Sequence, residues 1–242
     1  MADMFEKPMD FKGRCVMLTG AAGNLGRAVG EAFAARGANL ALVDLRRDAL
    51  EKAFGAEGST RLFAAANLLE QAEVERAARA VLARFGRIDV LVNVAGGFRM
   101  GEAVHETSDA TWNFLLDLNA RSLLHTARAV VPHMLAAGGG NIVNIGAYAA
   151  HKGAARMGAY VAAKSAVIRL TESMAAELRE KNVNVNCVLP TIIDTPENRA
   201  AMPDADPARW VAPADLASAI LFLASDAARA VHGAALPVTG LS

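Results

Sequence analysis

Short apolar runs alternate with longer segments of helical pattern along almost the whole chain. The apolar runs predict strands at "CVMLTG", "NLALVD", "TRLFAAA", "DVLVNVAG", "NIVNIG", "NVNVNCVLP" and "AALPVTG". The longer segments predict helices over 25–36, 70–85, 111–137, 160–181 and 214–225. Strands that alternate with helices at this spacing favour right-handed βαβ units, so we expect a doubly wound parallel sheet of about seven strands in a three-layer α/β/α arrangement.

The size and charge of the chain narrow the class of protein. Its 242 residues and 25.3 kDa fit a single α/β domain over residues 1–242. An apolar fraction of 53% beside 21% charged residues predicts a sheet that is covered on both faces or buried between subunits. The 25 basic and 25 acidic residues cancel without a long run of one sign, so we expect no nucleic-acid or membrane partner.

The sequence carries no pattern typical of an exported, membrane-spanning or metal-binding protein. The amino-terminal "MADMFEKPMDFKGR" lacks an apolar stretch of signal-peptide length, and no later stretch reaches the ~18 apolar residues of a membrane span. Cys15 and Cys187 are isolated in predicted strands, which is typical of core residues in a reducing cytoplasm. The histidines show no metal-ligand spacing. We therefore expect a soluble cytoplasmic protein without a metal.

A glycine-rich turn follows the first predicted strand. Thr19, Gly20, Gly23 and Gly26 lie between an apolar strand and an amphipathic helix. Glycines permit positive φ and let backbone N–H groups approach a diphosphate at the amino end of a helix. Eighteen residues after Gly26 the second strand ends at Asp44, whose carboxylate can accept both hydroxyls of an adenosine ribose. The pattern predicts a Rossmann-type dinucleotide site.

Asp44 also favours NAD over NADP as the cofactor. A carboxylate and a 2′-phosphate at hydrogen-bonding range would repel each other strongly in a partly desolvated site. NADP stays open as an alternative because Arg27, Arg46 and Arg47 are near enough in sequence to meet a phosphate.

A second motif combines a phenol and an ammonium group. Tyr160 and Lys164 are four residues apart and share one face of a predicted helix. We expect the ammonium group to favour the phenolate and so to lower the pKa of Tyr160 from about 10 toward neutrality. Such a pair can act as an acid–base couple.

Together these motifs resemble the short-chain dehydrogenase/reductase family nearly from end to end. Its motifs are matched by Thr19-Gly20 with Gly26, by "NVAG" at 93–96, by Asn119, by Tyr160 with Lys164, and by the terminal "LPVTG". The resemblance implies hydride transfer between a nicotinamide cofactor and a carbonyl or hydroxyl carbon, in a homotetramer, with a dimer in reserve.

The resemblance also implies roles for individual residues. Tyr160 and Lys164 would be catalytic, Lys164 would also bind the nicotinamide ribose, and Asn119 would hold a water that links Lys164 to solvent. Besides the glycine loop and Asp44, the implied cofactor contacts are Asn24, Leu25, Asn67, Leu68, Asn93, Ala95, Gly96, Pro190, Ile193 and Thr195.

Three departures from the family pattern bear on activity. Asn24 stands where the middle glycine of the loop is usual, and asparagine tolerates left-handed backbone better than other non-glycine residues. Asn67 with Leu68 replaces the usual aspartate at the adenine edge. Ala147 aligns with the serine that normally hydrogen-bonds the substrate oxygen, and loss of one such donor costs on the order of 100- to 1,000-fold in rate.

Two alternatives follow from Ala147. The chain resembles the dihydropteridine reductase branch of the family, which also carries alanine here, at "VAGG" (94–97), at "RMGAYVAAK" (156–164) and in the 190–212 segment. A quinonoid ring needs less stabilisation of an alkoxide, so reduction of such a ring is one alternative. The other is a catalytically weak protein that binds dinucleotide as a sensor or structural subunit.

The proline-rich segment 190–212 is predicted to be a substrate lid. It joins a strand to a helix and contains four prolines, which is typical of a mobile or ligand-binding loop. Met202 and Trp210 would either close over the substrate or pack against the protein. The tentative substrate-site residues are Phe98, Ala147, Tyr148, His151, Met202 and Trp210.

Overall fold

One parallel sheet of seven strands organises the computed structural model, which describes residues 9–242. Residues 1–8, part of the segment in which no signal peptide is predicted, lie outside the described residues. The strands are β1 (Cys15–Thr19), β2 (Asn39–Asp44), β3 (Arg61–Ala65), β4 (Val90–Asn93), β5 (Gly140–Ile145), β6 (Val183–Pro190) and β7 (Ala235–Val238). Their order is β3-β2-β1-β4-β5-β6-β7, so the direction of winding reverses between β1 and β4.

Helices cover both faces of this sheet. They are α1 (Asn24–Ala34), α2 (Arg47–Phe54), α3 (Gln71–Phe85), α4 (Asp109–Leu116), α5 (Ser122–Ala136), α6 (Gly158–Leu178), α7 (Pro196–Ala201) and α8 (Pro213–Ala224). Val16 and Leu18 of β1 pack into the core shared with α1 and α8, whereas Cys15 and Met17 pack into the core shared with α3, α5 and α6. Alternate side chains therefore bury both faces, and the predicted three-layer Rossmann-type fold is confirmed.

The sequence pattern predicts all seven strands and the long helices, but it misses two short helices. The sequence pattern does not predict helix α2, because Leu50 is its one buried residue and charged residues fill half of its length. Helix α7 lies within the segment that was expected to be irregular. The single helix expected over 111–137 is divided by a π-helical turn at Asp117–Arg121. Both cysteines are free and buried, as expected.

No helix within residues 9–242 combines the length and the apolar character needed to cross a membrane.

A chain of hydrogen-bonded, buried polar side chains runs from α5 over β4 and β5 to α6, near the carboxyl ends of the two strands. Thr126 Oγ1 of α5 donates to Asn93 Oδ1 (2.8 Å), and Asn93 Nδ2 donates to Asn144 Oδ1 of β5 (2.9 Å). Asn144 Nδ2 then donates to Thr171 Oγ1 of α6 (2.9 Å). All four side chains are buried, so each hydrogen bond replaces one lost from water. The chain of bonds fixes α5 and α6 relative to β4 and β5.

We expect replacement of Asn144 by alanine to destabilise the fold, because it leaves Asn93 Nδ2 buried without its acceptor and removes the bond to Thr171 Oγ1. The free energy of unfolding should fall by about 2–4 kcal/mol. Urea denaturation at one fixed protein concentration measures it. Asn113→Ala, at an exposed position of α4, is the matched control and should change stability by less than about 0.5 kcal/mol. Equal stability of the two variants would contradict the prediction.

Candidate active site

The glycine loop between β1 and α1 lies where the winding of the sheet reverses, at the carboxyl ends of the strands. Open crevices form at this position in doubly wound sheets. Gly20 has φ +62°, and a Cβ there would lie 2.7 Å from the Ala95 nitrogen. A Cβ on Gly26 would overlap the Gly20 carbonyl oxygen. Both positions therefore require glycine, and the loop packs directly against the segment that follows β4.

Asn24 stands where the family usually has a glycine, but its backbone is not left-handed. Among the described non-glycine residues, positive φ occurs at Arg156 and Asn182. Asn24 is the first residue of α1, with Gly23 as the N-cap in extended conformation. A side chain is tolerated at position 24 because it projects from an exposed helical position.

The carboxylate of Asp44 is hydrogen-bonded to the backbone of the glycine loop. Its Oδ2 accepts the Ala22 N–H (2.9 Å) and its Oδ1 accepts the Leu45 N–H (2.8 Å). The side chain remains half-buried at the end of β2. Two fixed backbone donors hold the carboxylate as an acceptor, which is the arrangement that binds hydroxyl groups.

The three arginines that could meet the 2′-phosphate of NADP each have a carboxylate partner. Arg27 pairs with Glu31 (2.9 Å) and Arg46 with Asp48 (3.5 Å). Arg47 pairs with both Glu51 (3.0 Å) and Glu57 (2.7 Å). These ion pairs are surface pairs and therefore weak individually, but they satisfy the cations within the chain.

Lys164 is a buried cation at the carboxyl edge of the sheet. It lies one turn after Tyr160 in α6, it is 6% exposed, and its Nζ donates to the Ile145 carbonyl oxygen (2.8 Å). Burial lowers the pKa of Lys164 to about 8, because the ammonium group loses hydration.

The pKa of Tyr160 differs from the sequence expectation. Burial raises the pKa of the phenol to about 12 rather than toward neutrality. Desolvation disfavours the phenolate, and the Lys164 ammonium group is directed at the Ile145 carbonyl. The phenol is therefore a protonated donor at neutral pH. The Phe98 ring packs edge-to-face on the Tyr160 ring, with centroids 4.8 Å apart, so the phenol borders an apolar surface.

Asn119 lies in the π-helical turn and uses its whole carboxamide to hold the backbone. Its Oδ1 accepts the Gly97 N–H (3.2 Å), while its Nδ2 donates to the carbonyls of Gly97 (3.0 Å) and Leu115 (2.8 Å). Single π turns of this kind often occur at functional sites. No local sequence pattern indicates these backbone partners.

Gly96 brings Asn119 and Lys164 to one place. A Cβ on Gly96 would lie 2.8 Å from Asn119 Oδ1 and 3.2 Å from Lys164 Nζ. Both side chains therefore border the same small space beside the loop after β4, and any larger residue at position 96 would collide with them.

Two further expected cofactor residues turn their side chains inward. Thr19 is buried, and its Oγ1 accepts the Ala95 N–H (3.3 Å). Asn93 belongs to the buried polar chain described above. Both side chains shape the loops of the site from beneath.

The remaining expected cofactor residues border the same edge of the sheet. Asn67 Oδ1 accepts the Leu69 N–H (3.0 Å), and the Leu68 carbonyl oxygen is 2.8 Å from His125 Nδ1. Thr195 Oγ1 accepts the Asn198 N–H (3.2 Å) at the start of α7. The others are Leu25, buried in α1, Pro190, at the end of β6, and Ile193, which forms a β-bridge with Val211.

The residues around Ala147 differ in exposure. Ala147 is buried (3% exposed) just after β5. Tyr148 is 45% exposed, and its ring packs edge-to-face on His151 with centroids 5.3 Å apart.

The two residues expected to act in the lid also differ in exposure. Trp210 is 7% exposed, which favours packing against the protein over contact with a substrate, whereas Met202 remains half-buried.

Comparison with known proteins identifies the family of the chain. A family model described as short chain dehydrogenase matches residues 14–206. The chain is 37% identical over 246 residues to a D-threitol dehydrogenase of Mycolicibacterium smegmatis, covering 96% of this chain and 94% of the relative.

Two solved structures are also similar. A short-chain type dehydrogenase/reductase from Mycobacterium ulcerans has a TM-score of 0.89 and 29% identity, over 96% of this chain and 90% of that one. Carveol dehydrogenase from Mycobacterium avium in complex with NAD has a TM-score of 0.85 and 27% identity, over 95% of this chain and 97% of that one. With the family model covering most of its length, the chain belongs to the short-chain dehydrogenase/reductase family.

Proposed function

We propose that this protein is an NAD-preferring oxidoreductase that transfers hydride between the nicotinamide and the carbon of an alcohol or ketone. The observation that carries the proposal is the convergence at Gly96, where the Lys164 ammonium group and the Asn119 carboxamide border one space. Tyr160 lies one helical turn before Lys164 on the same element. A proton donor and a cation thus border the segment that follows β4, against which the glycine loop packs.

Tyr160 would exchange the proton at the substrate oxygen. Because burial raises its pKa to about 12, the phenol is protonated at neutral pH and suited to protonate the oxygen of a ketone during reduction. In the direction of alcohol oxidation the phenolate has to accept that proton. Lys164 would stabilise this phenolate by its charge, since its Nζ is already fixed on the Ile145 carbonyl.

The residues at the point where the winding of the sheet reverses fit a dinucleotide. Asp44 would accept the adenosine ribose hydroxyls, and the amino end of α1 with its unpaired N–H groups would meet the diphosphate. Asn67 and Leu68 would border the adenine, and Thr195 with Ile193 would close the nicotinamide side. When bound, the nicotinamide supplies or accepts the hydride. The carboxylate of Asp44 and the pairing of Arg27, Arg46 and Arg47 together support NAD over NADP.

The substrate side supports an alcohol or ketone with an apolar portion. Phe98 is 54% exposed and packs on Tyr160, so the surface beside the phenol is apolar. Threitol and carveol, the compounds for which two similar proteins are named, are both alcohols. Reduction of a quinonoid ring is the second candidate, and the buried Ala147, which provides no hydroxyl, is the observation that favours it.

We further propose that the segment 190–212 acts as the lid and that the protein is a homotetramer. Met202 is the lid residue available to a substrate, since Trp210 is buried. Exposed apolar side chains on α4 and α5 support self-association: Trp112 is 42% and Leu135 is 36% exposed.

A substrate panel with and without a restored serine tests the reaction class. We expect NADH oxidation with ketones such as acetoacetate compounds and cyclic ketones, and we expect Ala147→Ser to raise kcat by roughly tenfold or more, because it adds a donor to the substrate oxygen. Preference for quinonoid dihydropterin, with little effect of Ala147→Ser, would instead support the second candidate. Tight NADH binding without turnover of any compound would support a binding protein.

Replacement of Tyr160 by phenylalanine should remove activity while leaving cofactor binding intact. Loss of the proton donor is expected to lower kcat by about 100- to 10,000-fold, and the Kd for NADH should change by less than about threefold. Steady-state kinetics and NADH fluorescence titration measure the two quantities. Ser218→Ala, which removes an exposed hydroxyl group of α8, is the control and should leave both quantities unchanged. A fully active Tyr160→Phe enzyme would contradict the assignment.

Removal of the Asp44 carboxylate should weaken discrimination against NADP. In Asp44→Ser the ratio of kcat/KM for NAD to that for NADP is expected to fall by about tenfold or more, because the repulsion of a 2′-phosphate is lost. Asp226→Asn is the control, because it removes an equal charge from a side chain that is 92% exposed. Asp226 pairs with Arg14, which precedes β1 at the amino end of the sheet, so this variant should leave the ratio unchanged. An unchanged ratio in Asp44→Ser would remove Asp44 as the basis of the preference.

A further inference from the structure

The proposed lid (residues 190–212) is braced at its base and within itself. Val211 N–H donates to the Ile192 carbonyl (2.9 Å), and Asp194 N–H donates to the Val211 carbonyl (2.9 Å). The Arg199 guanidinium binds both carboxylate oxygens of Asp194, at 2.6 and 2.7 Å. A two-pronged pair of this kind restricts orientation as well as distance. Helix α7 is therefore fixed relative to the base of the lid.

One side-chain hydrogen bond joins this lid to the glycine loop. Asn24 Nδ2 donates to Glu197 Oε2 at 2.7 Å, across 173 residues of sequence. Asn24 is the first residue of α1, and Glu197 is in the first turn of α7. Glycine, which is usual at position 24 in the family, has no side chain with which to make this bond.

The bond places a negative charge at the end of α1 that the proposed function assigns to the diphosphate. The amino end of a helix carries unpaired N–H groups and a partial positive charge, and it attracts anions. Glu197 thus holds an anion next to a position that the diphosphate must also approach. Two anions there would repel each other, although exposure of both side chains and salt weaken the effect.

We propose that the Asn24–Glu197 hydrogen bond is a latch that holds the lid to the cofactor loop and is released when the cofactor binds. The proposal rests on the proposed function, because the diphosphate is the competing anion. Glu197 is then a positioning residue. Its contact with Asn24 has to break before the dinucleotide occupies the loop, and it therefore lowers the affinity for the cofactor.

The first test measures the Kd for NADH by fluorescence titration, in the absence of substrate. Glu197→Gln keeps the length of the side chain and removes its charge, and it should tighten binding by about three- to tenfold at low salt, with a smaller gain at high salt. Asp204→Asn removes the same charge from an exposed lid residue outside the latch and should change Kd by less than about twofold. Equal effects of the two variants, or weaker binding by Glu197→Gln, would overturn the latch.

A double-mutant cycle separates the hydrogen bond from a general effect of charge. In the Asn24→Gly background, which lacks the donor, Glu197→Gln should tighten NADH binding by less than about twofold. If Glu197→Gln tightens binding equally in both backgrounds, the charge acts without the bond and the latch is refuted.

A measurement without cofactor tests the contact independently of the proposed function. Trypsin can cleave the lid after Arg199 or Arg209 once the lid opens. Cleavage of the cofactor-free protein should be about three- to tenfold faster in Glu197→Ala than in the matched Asp204→Ala. Equal rates would overturn the latch. Absence of NADH binding by the wild-type protein would instead overturn the proposed function, and the two failures are therefore distinguishable.

Discussion

The hydrogen bond from the buried Lys164 ammonium group to the Ile145 carbonyl is the contact on which the candidate site depends. A buried cation is costly unless its N–H groups find partners, and the end of β5 provides one at 2.8 Å. The bond fixes α6 against β5, and with it the position of Tyr160. The same ammonium group borders Gly96, so the loop after β4 can carry no larger residue there. Asn119 then holds the next residue of that loop through both atoms of its carboxamide.

Burial shifts the two titrating groups of the site in opposite directions. It raises the pKa of Tyr160 to about 12 and lowers the pKa of Lys164 to about 8, because each shift favours the neutral form. The chain thus contains a protonated phenol one helical turn before an ammonium group that donates to the Ile145 carbonyl. The same burial disfavours charge on the phenol relative to water, so in the proposed reaction the Lys164 ammonium group would offset part of that cost when the phenolate forms.

Features with local sequence signals were predictable, and those that depend on distant partners were not. Apolar runs located the seven strands, since both faces of the sheet are buried, and glycine spacing located the turn between β1 and α1. The pairing of Asn93 with Asn144 spans 51 residues, and no property of either asparagine indicates the other.

The pKa of Tyr160 was mispredicted for a related reason. Helical spacing places Lys164 nearby, but it does not report how deeply the phenol is buried or where the ammonium group points. The side chains at these positions could be named from the sequence, whereas their energetics required the packing.

Asn24 differs in what it does for the backbone and in what it does through side-chain contacts. At the level of the backbone it is neutral, because position 24 is helical and exposed and does not require glycine. At the level of contacts it adds a donor that reaches Glu197 of the lid. A side chain permitted by local geometry thereby acquires a long-range partner, and the partner is an anion at the end of α1 that attracts anions. Under the proposed latch, cofactor affinity and lid position would depend on the same carboxylate, so a change in one would alter the other.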